Sequence, residues 1–166
     1  TIYTYNLQLF DPSWLSDPHT DIPAKLVQQM QVKQDPKLHV ATSAYLDFFA
    51  LGGKLRHHEM SPGLIRSYLR KQRPLLTGLS STYLYQCARE TDLDYDDIAG
   101  EPQGHFVVIF HYDAATRSVS IADPLQDNPR YGAHYYDVEI QRVLSSILLG
   151  MVTYDANILI IEPKVG

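Results

Sequence analysis

The residues best placed to do chemistry in this chain are His105 and Asp123. They stand at the open end of a hairpin. Its first arm, Gly104-His105-Phe106-Val107-Val108-Ile109-Phe110-His111-Tyr112, runs into Asp113 to Thr116 and returns through Arg117 to Asp123-Pro124. A turn centred near Ala114 and Ala115 brings the two almost opposite each other. Opposed residues of an antiparallel pair share a face and lie about 4.5–5.5 Å apart. An imidazole and a carboxylate held so on a rigid sheet supply half of a catalytic triad: the carboxylate orients the ring, and the ring activates a nucleophile. The plainer alternative is a satisfied core histidine beside a strand-end Asp that caps the turn before Pro124. Gly104, which clears space beside His105, and the shared sheet edge count against that alternative.

Two nucleophiles compete for the role of partner. Cys87 is the only thiol and lies in Tyr85-Gln86-Cys87-Ala88-Arg89-Glu90. It has neither an adjoining Gly nor a helix start to lower its pKa, so it reads as a structural cysteine. Gly78-Leu79-Ser80-Ser81-Thr82 places Ser80 after a strand. A nucleophile elbow requires a second Gly where Thr82 stands, and its partners follow as acid then His, the reverse of His105 and Asp123. A serine hydrolase at Ser80 therefore ranks low.

Metal chemistry finds little support. Adjacent His57 and His58 point to opposite faces of a strand, and His105 and His111 stand about 20 Å apart at roughly 3.3 Å per residue. There is no His-Glu-x-x-His pattern and no Cys pair. Asp92-Leu93-Asp94-Tyr95-Asp96-Asp97 imitates a calcium loop but has Asp97 where the turn Gly belongs and Gln103 where the bidentate Glu belongs. No cofactor is implied.

The elements that must position the hairpin follow from periodicity and punctuation. Ile2 to Leu9 alternate as a strand, which would leave an open sheet edge. Asp11-Pro12-Ser13 and Ser16-Asp17-Pro18 read as turns around Trp14, a lid on the core. Asp21 and Asp35-Pro36 open helices to about Lys33 and to Gly52-Gly53. Lys54 to Glu59 is a short polar strand, and Ser61-Pro62 starts a helix buried through Leu64, Ile65 and Tyr68. Arg66, Arg70, Lys71 and Arg73 form its solvated face. Pro74 to Leu79 is an internal strand, Ser80 to Glu90 a short helix and Thr91 to Gln103 an acidic loop. The hairpin's first arm, apolar on both faces, reads as a buried central strand. Gln126 to Gly132 is a polar loop, Asp137 caps a helix from Val138 to Leu149, and a last strand runs from Asn157 to Ile161. The class is α+β, with helices in the first half packed on a mostly antiparallel sheet formed largely by the second half.

The 166 residues suit a single domain, 1–166, with ordinary apolar (45%) and charged (20%) fractions. A net charge of −5 offers no footprint for nucleic acid. The apolar run near Val143 to Val152 is too short to span a membrane. One cysteine fits a reducing, cytoplasmic setting. Thr1-Ile2-Tyr3-Thr4-Tyr5 looks like a strand already under way, with neither an initiator Met nor a signal pattern, so the chain is read as starting inside a larger protein.

At the hairpin the sequence resembles the papain-like cysteine peptidases that process double-glycine leaders of bacteriocins, and their bacterial relatives. Those proteins carry a Gly-His-aromatic-Val-Val strand, a Tyr-Asp turn and a Val-x-Val/Ile-x-Asp-Pro strand. Gly104 to Val108, Tyr112-Asp113 and Val119 to Pro124 match position by position. A strand like Pro74-Leu75-Leu76-Thr77 after a basic helix, and a later segment like Val138 to Leu149, also fit. The resemblance implies a papain-like fold and hydrolysis of a peptide or isopeptide bond through a Cys-His-Asp triad. His105 would be the general base and Asp123 its orienting acid. The family's Cys-Gly-Pro helix start and upstream oxyanion Gln have no counterpart here, so the implied nucleophile lies upstream of Thr1. The resemblance also implies a peptide or protein substrate and a possible association with an ATP-grasp ligase. A non-catalytic relative that uses the same cleft to hold a peptide is the alternative.

Overall fold

Proline-led helices build the first part of the molecule, and each starts the same way. Asp11, Asp21, Asp35 and Ser61 accept hydrogen bonds from the backbone of the first helical turn, with Pro just inside it. They open α1 (Pro12–Ser16), α2 (Ile22–Val32), α3 (Pro36–Ala50) and α4 (Pro62–Leu69). Asp11-Pro12-Ser13 is thus a helix start and not a turn. A computed structural model describes residues 1–92 and 94–162 of the chain, so Leu93 of the acidic loop lies outside the described residues.

The strands are β1 (Ile2–Thr4), β2 (Leu55–Arg56), β3 (Leu75–Ser80), β4 (Gly104–Asp113), β5 (Ser118–Ala122), β6 (Tyr135–Glu139) and β7 (Asn157–Ile160). They form one seven-stranded sheet in the order β2-β1-β7-β3-β4-β5-β6, antiparallel except where β1 meets β2. With α5 (Ser81–Tyr85) and α6 (Ile140–Leu149), the described residues hold six α-helices, and the class is α+β. No helix among the described residues is long and apolar enough to cross a membrane.

One face of the sheet carries the main core. Leu75, Leu79, Val107, Ile109, Val119, Ile121, Ile158 and Ile160 are buried with Leu64 and Ile65 of α4 and Ile140, Val143, Leu144 and Ile147 of α6. A second cluster joins Leu9, Phe10, Leu26 and Leu38, with Trp14, Tyr45 and Phe49 packed on it. On the sheet's other face, Tyr45 and Phe48 of α3 line a cavity with Ile2, Leu76, Phe106 and Leu159. That cover does not extend to the outer part of β4, where Phe106 and Phe110 remain 48% and 43% exposed. The expectation of a strand buried on both faces is corrected here: β4 is central in the sheet but open on one side.

The hairpin register also departs from expectation. Beyond the turn, Asp113, Tyr112 and His111 pair with Ser118, Val119 and Ser120, whereas Ile109 and Val108 pair with Ile121 and Ala122. Phe110 is the extra residue of a β-bulge. Continuing the bulged register places Asp123 opposite Val107, on the face that holds His105 and one diagonal step from it. Without the bulge, Asp123 would stand opposite Val108 and point to the other face, because a one-residue slip exchanges the two. His105 and Asp123 are diagonal and not directly opposed, and the bulge is what lets them meet.

Two further boundaries move. β1 stops at Thr4 because Asn6 turns the chain: its side chain accepts from Gln8 N and its carbonyl from Phe10 N. β1 is also interior, flanked by β2 and β7, and is not an open edge. Tyr135 to Glu139 pair along the whole of β5, so Val138 belongs to a strand and α6 begins at Ile140. Asp137 accepts from Ser120 Oγ across the ladder and caps no helix.

After α6 a short 3₁₀ turn, Gly150–Thr153, leads through Tyr154 (φ 68°) to Asp155, which lies against β3 and β4. A Cβ on Gly78 would stand 2.2 Å from the Asp155 carbonyl oxygen, whereas one on Gly63 in α4 would meet only Ser61 Oγ at 3.6 Å. Gly78→Ala should therefore lower the unfolding free energy by about 1–3 kcal/mol. Gly63→Ala should leave it unchanged or raise it by up to about 1 kcal/mol. Urea unfolding of the two variants beside the parent checks both signs.

Candidate active site

The end of the hairpin holds a buried carboxylate with four donors. Asp123 is 3% exposed and continues β5 by one residue, its N–H donating to the His134 carbonyl at 2.8 Å. Its Oδ1 accepts from His105 Nε2 at 2.8 Å and from Leu125 N at 2.8 Å. Its Oδ2 accepts from Tyr85 Oη at 2.7 Å and from the Tyr136 hydroxyl. Burial alone would raise this carboxyl, but the bonds from Tyr136, His105, Tyr85 and Leu125 outweigh it and hold it below the usual carboxylate range. Asp123 is therefore the charged member of the group.

An ionised Asp123 fixes the state of the ring beside it. A carboxylate only accepts, so His105 Nε2 donates to it, and in the neutral ring Nδ1 is the nitrogen with the lone pair. No hydrogen bond to Nδ1 is formed among the described residues, and the side chain is 22% exposed. The arrangement suits a general base: one nitrogen is held by a buried anion, and the other has no hydrogen-bond partner among the described residues on a partly exposed ring.

The two tyrosines come from elements distant in sequence. Tyr85 ends α5, where Gln86 adopts a left-handed conformation (φ 53°), and its ring lies 6.3 Å from that of His105. Tyr136 sits on β6 and is stacked by Tyr131 at 3.9 Å with the planes 6° apart. Burial first, and then the bond to Asp123, push both hydroxyls far above the ordinary tyrosine value, so they remain donors. The polar loop after Pro124 supports them. Buried Asn128 donates to the carbonyls of Leu125 and Ala133 and accepts from Tyr131 N. Arg130 covers the Tyr131 ring and donates to Gln86 Oε1 at 2.7 Å, tying the loop to the end of α5. His134 Nδ1 donates to the Asp123 carbonyl at 2.8 Å.

Other residues singled out in the sequence stand apart from this group. Ser80 Oγ accepts from Tyr83 N as the cap of α5 and forms no bond to His105. Cys87 lines a separate cavity with Ser80, Tyr83, Gln86, Arg89 and Val152. Burial pushes its thiol up, a backbone hydrogen bond pulls against it, and the nearby Glu90 carboxylate adds to the rise. Among the described residues no three His, Cys, Asp or Glu side chains are grouped to hold a metal ion.

Sequence reasoning missed Tyr85, Tyr136 and Asp155. With 12 tyrosines in the chain, nothing in their type marks the two that matter. Asp155 carries a weak signal, an acid just before the last apolar strand. Its Oδ2 would lie 1.7 Å from a Cβ on Gly104, so the space that Gly104 leaves, on the face of β4 opposite the His105 side chain, is filled by this carboxyl. No protein-family model, characterised protein or solved structure matches the chain.

Because the native Asp123 value is depressed, folding favours its ionised form. The stability it contributes is complete above the unfolded carboxylate value of about 4 and is lost as pH falls through the native value. Urea unfolding between about pH 2 and 6 should show this acid limb, and Asp123→Asn should flatten it. Tyr136→Phe removes one donor to a charged acceptor and should cost about 1.5–3 kcal/mol at neutral pH.

Proposed function

We propose that His105 and Asp123 are the acid–base pair of a papain-like cysteine hydrolase, acting on a peptide or isopeptide bond with a thiol from a segment upstream of Thr1. One observation carries this reading: His105 Nε2 is bonded to a buried, ionised Asp123 while Nδ1 is unbonded and the ring is partly open to solvent. The α+β class and the hairpin resemblance agree with it.

In this reading Nδ1 takes the thiol proton, and Asp123 stabilises the imidazolium that results. The thiolate adds to the substrate carbonyl. As the tetrahedral intermediate collapses, the imidazolium returns the proton to the leaving amine. Water, deprotonated by the same nitrogen, then releases the acid product and the free thiol. The four donors on Asp123 keep it from moving or taking up the proton itself.

A second reading, a non-catalytic domain that holds a peptide, is favoured by a different observation. Asp123 is so fully bonded that the network would stand as a purely structural device, and Phe106 and Phe110 offer an exposed apolar surface on the opposite face of β4. A serine hydrolase at Ser80 ranks below both, since its hydroxyl is engaged in capping α5.

The full-length protein treated with a peptidyl acyloxymethyl ketone separates these readings. Intact mass and peptide mapping should find one adduct on a cysteine preceding Thr1. His105→Ala should slow labelling by about 10²-fold or more. An adduct on Cys87, or labelling that ignores His105, would sink the proposal. Absence of any adduct would turn the assignment to the peptide-holding reading.

A further inference from the structure

β6 ends the sheet on one side, and among the described residues it pairs with β5 and with no other strand. The ladder fixes which of its backbone groups are already spent. Asp123 N–H donates to the His134 carbonyl, and Ile140 N–H donates to the Arg117 carbonyl. Bonding alternates along an antiparallel strand, so the even-numbered residues from His134 to Ile140 turn their backbone groups toward β5. Tyr135 and Asp137 therefore turn both N–H and C=O outward. Glu139 offers its N–H alone, because its carbonyl opens α6. All three residues are exposed, and among the described residues no backbone bond outside the sheet and helix ladders reaches these groups. Their side chains share one face, since they alternate with Tyr136 and Val138, which pack on the main core. Along that face the edge changes character. Tyr135, 72% exposed, stands beside Phe110 at its start. Asp137 and Glu139 follow, and Asp113 lies in the same cross-strand row as Glu139 through Ser118. Neither Asp137 nor Glu139 has an ion pair among the described residues.

We propose that the outer edge of β6 takes up an extended basic segment of a partner protein as an added strand. The segment carries an aromatic or aliphatic residue opposite Tyr135 and Lys or Arg opposite Asp137 and Glu139. Main-chain bonds to the free edge supply the affinity, and the alternate side chains supply the choice of partner. A second copy of the chain is the wrong occupant. Two β6 edges paired about a two-fold axis at Asp137 would set Asp137 against Asp137 and Tyr135 against Glu139, and directly opposed like charges are destabilising. Acids on an edge guard it against strands of their own sign. Toward a basic strand the same acids are an attraction. This inference goes beyond both readings of the His105 site and depends on neither.

The test is amide hydrogen exchange, followed by NMR on the isotope-labelled full chain with the peptide Ac-Thr-Lys-Thr-Lys-Thr-Phe-Thr-NH2. Antiparallel addition sets its lysines opposite Glu139 and Asp137 and its phenylalanine opposite Tyr135. With peptide at about ten times its half-saturating concentration, exchange at the Tyr135, Asp137 and Glu139 amides should slow about tenfold. Tyr136 and Val138, already bonded to β5, should keep their rates. The same peptide with glutamate in place of lysine should give no protection. The double variant Asp137→Lys, Glu139→Lys should exchange the two preferences, and unchanged Tyr136 and Val138 rates in it show that the sheet is intact. Failure of the lysine peptide to slow these three amides would overturn the proposal. Chemical-shift changes at Asp137 and Glu139 without slower exchange would also overturn it, as a charge contact with no added strand. Protection that rises with protein concentration in the absence of peptide would assign the edge to a second copy instead. None of these outcomes alters the thiol-adduct result, so the two proposals fail separately.

Discussion

A carboxylate that is almost fully buried must be met by donors, or it loses its charge. Asp123 is met by four, and they come from α5, β4, β6 and the loop that follows Asp123 itself. Each depends on the placement of a different element, so the carboxylate acts as a common reference for this end of the molecule. α5 must end where Tyr85 reaches Oδ2, and β6 must pair along all of β5 to bring Tyr136 to the same atom. The Asn128-centred loop must close so that Leu125 N and the Tyr131 ring are in place. Such a network is strong only while complete, since each lost donor leaves the remaining charge less compensated.

The bulge at Phe110 is the sheet's contribution to the same problem. In a regular hairpin the side chains near the turn fix which residues face the core all the way to the open end. Tyr112 and Val119 pack on the core near the turn, and His105 and Asp123 must both face it at the other end. Those two requirements differ by one residue on β4 and none on β5. One inserted residue reconciles them, and it is placed where the sheet's other face is open, so that the displaced Phe110 ring can rest against Tyr135 at 6.2 Å.

How much of this was legible in the sequence depends on range. His105 and Asp123 could be found because they lie on one hairpin, where alternation and turn chemistry constrain geometry over a short separation. The four capped helices were legible as local Asp/Ser-Pro signals, apart from α1, whose Asp11-Pro12 reads equally as a turn. The bulge was not legible: an extra Phe in an apolar run leaves the alternation of Phe106 to Phe110 looking unbroken. The apolar pattern of α6 extends smoothly back into Val138 and reads as helix there, while its pairing with Val119 is a long-range fact. Tyr85 reaches Asp123 across 38 positions, and Asp155 sits beside Gly104 only because β7 returns next to β3. No local rule encodes either.

The two nitrogens of His105 divide the site into an inner and an outer side. Nε2 is committed to Asp123 and through it to the buried network, so that half of the ring cannot turn without breaking a charged hydrogen bond. Whatever exchanges a proton with this histidine must do so at Nδ1, and must arrive from the partly exposed side of the ring. A direct bond to Nδ1 would have closed the one position open to a reacting group.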